Sequence, residues 1–68
     1  MKIQLLALLK VLAPYTIVTI CYAGNGHRLY EGGIDEVPEH LFKYFVTYVS
    51  HNMYKMYIEV HELDSFID

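Results

Sequence analysis

Tyr30, Tyr48 and Tyr57 are three of the seven tyrosines in this 68-residue chain, and Arg28 and Lys55 each stand two residues before one of them. On a β-strand, residues two apart share a face. A tyrosine ring beside a cation can stack on and clamp a flat anionic ligand such as a nucleotide. The same set equally suits a surface for another protein or for a second copy, because tyrosine joins a broad apolar ring to a polar tip. It also suits plain strand positions with the hydroxyl in water. A protein interface is the leading reading, and spacing alone assigns no tyrosine to a ligand.

Other chemistry-bearing residues point to no reaction. His27, His40, His51 and His61 pair with no other His or Cys at a metal-ligand spacing, so no metal is expected unless two copies converge. Ser50 and Ser65 are the only serines, and neither sits in a G-x-S-x-G elbow. Asp35, Glu36 and Glu39 cluster where a helix start would use them to complement its dipole. Gly24-Asn25-Gly26 reads as a hairpin turn and not a phosphate loop, since no helix follows. Cys21, the only cysteine, lies in a β-branched run and reads as a small buried hydrophobe. The expectation is a protein that is not an enzyme, with no catalytic residues and no cofactor.

The elements that must position these residues form a single domain over 1–68. Apolar Leu5, Leu8, Leu9 and Leu12 recur at helical spacing, which predicts a helix over 1–13 stopped by Pro14. Thr16–Ala23 alternates and is β-branched, and Asn25-Gly26 predicts a type I′ turn into a return strand, giving a hairpin over 16–31 that Gly32-Gly33 ends with a bulge. Pro38 suits the first position of a short helical turn over 37–44. A second hairpin, 45–61, turns around Asn52-Met53, and an acidic tail, 62–68, follows. The predicted fold is α+β: an N-terminal helix packed on a small antiparallel four-stranded sheet made of two hairpins, with the short helical turn between them. Alternation sends Val18, Ile20, Tyr22 and Leu29 to the core face with Val49, Met56, Ile58 and Val60. It sends Cys21, Arg28, Tyr30, Tyr48, Lys55, Tyr57 and Glu59 to the opposite face, and Arg28, Tyr30, Tyr48, Lys55 and Tyr57 are the candidate partner- or ligand-binding residues.

A core this small supplies only about 3–5 kcal/mol, and such domains lean on disulfides, metals or oligomerisation. One cysteine excludes an internal disulfide. Ile3, Ala7 and Val11 fall opposite the leucine stripe, so the predicted helix has a second apolar side, and these three residues are the candidate self-association surface. A homo-oligomer, in the simplest case a dimer, is expected.

Net charge −3 argues against DNA or RNA binding by phosphate neutralisation. Met1-Lys2, the apolar run and Cys21-Tyr22-Ala23 before Gly24 imitate an export signal, but Lys10 and Pro14 interrupt the run. The run also falls short of a transmembrane helix, so a cytoplasmic protein that does not enter membranes is expected.

The segments Leu5-Leu6 to Leu12, Pro14-Tyr15-Thr16 with Val18 and Ile20, and Leu29-Tyr30-Glu31-Gly32 with Ile34, Val37-Pro38-Glu39 and Leu41 resemble small uncharacterised proteins from early regions of bacteriophages of Gram-positive hosts. Those proteins share a leading helix, a strand pair and a "YEG…IPEeLL"-like segment; here Val37 replaces the usual isoleucine and Gly33 is an added glycine. The resemblance spans most of the chain and transfers no site residue. It implies a phage accessory protein of anti-defence type in a bacterial host. Such a protein would occlude a host protein or, alternatively, sequester a nucleotide messenger between protomers.

Overall fold

The computed structural model describes residues 3–51 and 55–62. Helix α1 (Leu5–Leu9) leads into strands β1 (Ile17–Tyr22) and β2 (Arg28–Gly33). Two 3-10 turns follow, Ile34–Glu36 and Glu39–Leu41, then β3 (Phe45–His51) and β4 (Lys55–His61). Strand order is β2-β1-β4-β3. Each hairpin is antiparallel, but β1 and β4 run parallel, so the sheet is mixed and not the antiparallel sheet predicted. Turn chemistry dictates pairing within a hairpin, whereas the connection over 34–44 decides how two hairpins dock. Here it carries the chain far enough for β4 to return beside β1 in the same direction, as a parallel pair requires.

The core lies between one sheet face, α1 and that connection. Leu5, Val18, Ile20, Ile58 and Val60 have no exposed surface, and Leu9, Val37, Leu41 and Val46 are buried with them. Leu8 and Leu12 pack against this cluster, so the leucine stripe faces the sheet. Val49 is paired with Ile58 but lies on an edge strand and remains 40% exposed.

The helix is five residues long, not thirteen. Gln4 is extended and bridges Phe45, while the Val46 amide donates to the Ile3 carbonyl and the Leu5 amide to Tyr44, both at 2.8 Å. Residues 3–5 therefore satisfy the outer edge of β3 at its start, a backbone demand that periodicity does not reveal. At the other end Val11 donates to Leu8 and Leu12 to Leu9, so the chain tightens to i→i−3 bonds before Pro14. Ile3 is in neither the helix nor its outer side; it packs on the core.

The local turns also depart from expectation. In the first hairpin Gly26 has φ 74°, but among the described residues, Asn25 included, no non-glycine has positive φ, which excludes a type I′ turn at Asn25-Gly26. The loop closes instead with Gly26 donating to the Tyr22 carbonyl at 2.7 Å and the His27 amide to Asn25 Oδ1 at 2.8 Å. The predicted helical turn over 37–44 becomes two 3-10 turns around extended Val37 and Pro38. Proline biases the preceding residue away from helix, so Val37 stays extended and is buried. The Gly32-Gly33 bulge is displaced to Leu29, and β2 runs on through Gly33. Gly32 holds φ 151°, and a Cβ there would stand 2.8 Å from the Tyr30 hydroxyl. The Asn52-Met53 turn and the tail beyond Glu62 lie outside the described residues.

Two truncations separate the buried stripe from the exposed side. Leu5→Ala should cost about 3 kcal/mol in urea unfolding, a large share of what so small a domain has. Val11→Ala, at a residue 77% exposed, should change stability by less than about 0.5 kcal/mol.

Candidate functional site

The sheet face turned away from α1 carries the polar and aromatic residues. Register builds it in rows: Glu31, Thr19, Tyr57 and Ser50 lie side by side across the four strands, and Arg28, Cys21, Glu59 and Tyr48 form the next row. Ile17 and Lys55 are paired in the row before. Tyr48 and Tyr57 meet edge to face, with centroids 6.3 Å apart and an interplanar angle of 68°. Tyr48 is 53% exposed, whereas Tyr57 is half-buried over Cys21. Tyr57 stands between two open depressions, both lined by Thr19 and Tyr57. One, of about 580 Å³, adds Cys21, Gly26, His27 and Arg28; the other, of about 220 Å³, adds Ser50, His51, Lys55 and Met56.

Tyr30 is not on this face. It pairs with Ile20, packs against the core and donates its hydroxyl to the Gly33 carbonyl at 2.7 Å. The cause is the bulge: Cys21 pairs with Arg28 and Ile20 with Tyr30, so Leu29 is the extra residue and the alternation slips by one. The same slip turns Glu31 outward opposite Thr19. Glu31 then takes the Lys55 ammonium at 2.7 Å on one carboxylate oxygen and the Arg28 guanidinium on the other. The two cations that the sequence offers as an anion clamp are thus held by one carboxylate. The Lys55 hydrogen bond and charge, with Arg28 second, hold the Glu31 carboxyl below the usual carboxylate range. The sequence reading missed Glu31. The available signal was its position three residues after Arg28, which only a bulge converts into a shared face.

Tyr57 donates to Glu59 Oε2 at 2.9 Å. That bond, then a bond with the Cys21 thiol and burial, pushes the Tyr57 hydroxyl up to about 12.

A second cluster sits where the parallel strands β1 and β4 end. The Tyr22 ring stacks on His61 with centroids 5.0 Å apart and meets Tyr44 edge-on at 6.4 Å. Its hydroxyl donates to Glu62 Oε1 at 2.8 Å and lies 3.4 Å from His61 Nε2. The Glu62 bond, then burial, raises the Tyr22 pKa, the opposite of what an activated nucleophile or base needs. The arrangement latches the ends of two strands together. His61 is buried in it, whereas His27, His40 and His51 are exposed. Among the described residues no group of three metal-ligating side chains gathers.

Of the candidate self-association residues, Ile3 is packed on the core, while Ala7 and Val11 are exposed, as is Tyr15 beyond them. No helix among the described residues is long and apolar enough to cross a membrane. Comparison with protein families, with characterised proteins and with solved structures finds no match to this chain.

Two titrations test the electrostatics. A group whose folded pKa is depressed contributes stability above its unfolded pKa and loses it as pH falls through the folded value. The melting-temperature difference between wild type and Glu31→Gln should therefore be full near pH 6 and fade below about pH 4. For Tyr57 the sign reverses: the folded pKa is raised, so its contribution is present below the ordinary tyrosine value of about 10 and is lost as pH climbs towards about 12. In ultraviolet titration, the Tyr57→Phe difference spectrum should place the ionisation of this tyrosine well above the ordinary value of about 10, and Glu59→Gln should bring it down.

Proposed function

We propose that this protein is a non-enzymatic binding module, a homo-oligomeric phage accessory protein of anti-defence type, that acts in the bacterial cytoplasm by covering a host protein with its open sheet face. The carrying observation is the Tyr48–Tyr57 pair on a face that α1 leaves uncovered, with one ring anchored by Glu59 and the other 53% exposed. Rigid aromatic anchors inside a polar margin are what energetically dominant interface residues look like. The Arg28–Glu31–Lys55 network supplies that margin, already ordered before a partner arrives. The resemblance to phage early proteins supports a host protein as the partner. Glu31 favours this reading over nucleotide sequestration, because a phosphate clamped between Arg28 and Lys55 would sit against the carboxylate that already stands between them.

Immobilised protein exposed to lysate of a Gram-positive host should retain a partner that a Tyr48→Ala/Tyr57→Ala variant releases. The expected loss is about 30-fold in affinity or more, equivalent to ~2 kcal/mol, with an unchanged circular dichroism spectrum. Equal retention by both proteins, or none by either, rejects the assigned face.

A further inference from the structure

Glu59 is the unbalanced charge on the open face. It is half-buried and accepts the Tyr57 hydroxyl, and no Lys, Arg or His is paired with it among the described residues. Glu31, by contrast, holds two cations. A half-buried carboxylate gains from a cation brought by whatever covers it.

The sheet edges are poor places for a second copy to supply it. β2 carries the Leu29 bulge and the positive φ of Gly32, and β3 is covered at its start by residues 3–5 and bulged at Thr47. Bulges and covered edges are how sheets avoid extension by another strand. The open face remains, and its charges are self-complementary. On β4 Lys55 and Glu59 lie two residues either side of Tyr57, all three on this face. A two-fold axis lying in the plane between two such faces, perpendicular to the strands and above Tyr57, sets Tyr57 against its own copy. It brings each Lys55 opposite the partner's Glu59. Lys55 need not give up Glu31 or its further contact, since an ammonium has three donors.

Resting on the reading of the open face as the contact surface, we propose that a second copy of this chain closes it, face to face across a two-fold axis over Tyr57, with Lys55 of each copy on Glu59 of the other. Four strands about 4.8 Å apart and six residues at ~3.3 Å give a footprint on the order of 400 Å² per copy, about half that of a standard interface. The dimer is accordingly weak, in the micromolar range, and a host protein competes with it for one surface.

Charge reversal tests this geometry. Lys55→Glu alone and Glu59→Lys alone each set like charges opposite one another twice and should be monomeric by sedimentation velocity. Mixed in equal amounts, the two variants match at both positions and should form a heterodimer at least tenfold tighter than either homodimer. A monomeric wild type at all concentrations, unimpaired single variants, or a mixture that stays monomeric overturns the proposal. If either variant loses its circular dichroism spectrum, zero-length carbodiimide crosslinking of mixed light and nitrogen-15 wild type replaces it. A mixed-isotope Lys55–Glu59 peptide supports the dimer, and its absence rejects it. Should the dimer fail while Tyr48→Ala/Tyr57→Ala still releases the host protein, self-closure falls and the binding face stands. The reverse outcome removes the host partner and leaves the dimer.

Discussion

The parallel docking of β1 on β4 is the constraint on which the rest of the structure depends. Val18 and Ile20 on one strand and Ile58 and Val60 on the other have no exposed surface, and all four face α1 and the connection over 34–44. With β1 and β4 as neighbours, each hairpin's other strand is left outermost, so β2 and β3 become edges. The parallel register also places Thr19 beside Tyr57 and Cys21 beside Glu59, which gives the open face its rows. Both strands finish at the same end, where Tyr22 stacks on His61 and bonds Glu62. The connection makes this docking possible. Its extended Val37-Pro38 step and second 3-10 turn drop Val37 and Leu41 into the core while carrying the chain across to β3.

Two bulges then decide which chemistry reaches the open face. At Leu29 the slip exchanges Tyr30 for Glu31, removing an aromatic ring and adding a carboxylate between two cations. At Thr47, whose hydroxyl bonds the Glu59 carbonyl at 3.1 Å, a similar slip places Tyr48 beside Glu59 and within ring contact of Tyr57. Both bulges also distort the edges on which they lie. One local device therefore arranges the face and discourages sheet extension, which turns association towards the face itself.

The two aromatic clusters differ in what they leave available. Around Tyr22 the ring and the hydroxyl are both engaged within the chain, and the result is a latch at the sheet end. Around Tyr57 the hydroxyl is engaged but the neighbouring Tyr48 ring is open, and Glu59 carries a charge with no cation beside it among the described residues. Unspent ring surface and unbalanced charge on one face are what make it the candidate for association. The ion network beside it orders the margin of that face within the chain itself.

The chain's local pattern alone determined the leucine stripe that faces the sheet, the four strands within a residue or two of their ends, and both hairpin pairings. It also determined the outward placement of Arg28, Lys55 and Tyr57. Each rests on periodicity or turn composition, which act over a few residues and are readable one segment at a time. The parallel central pair, the shortening of α1 to Leu5–Leu9, the capture of Ile3 by β3, and the exchange of Tyr30 for Glu31 were decided only by tertiary structure. Each arises from backbone groups far apart in sequence seeking hydrogen-bond partners. A one-residue slip that satisfies them reverses every side chain beyond it without changing the local pattern at all.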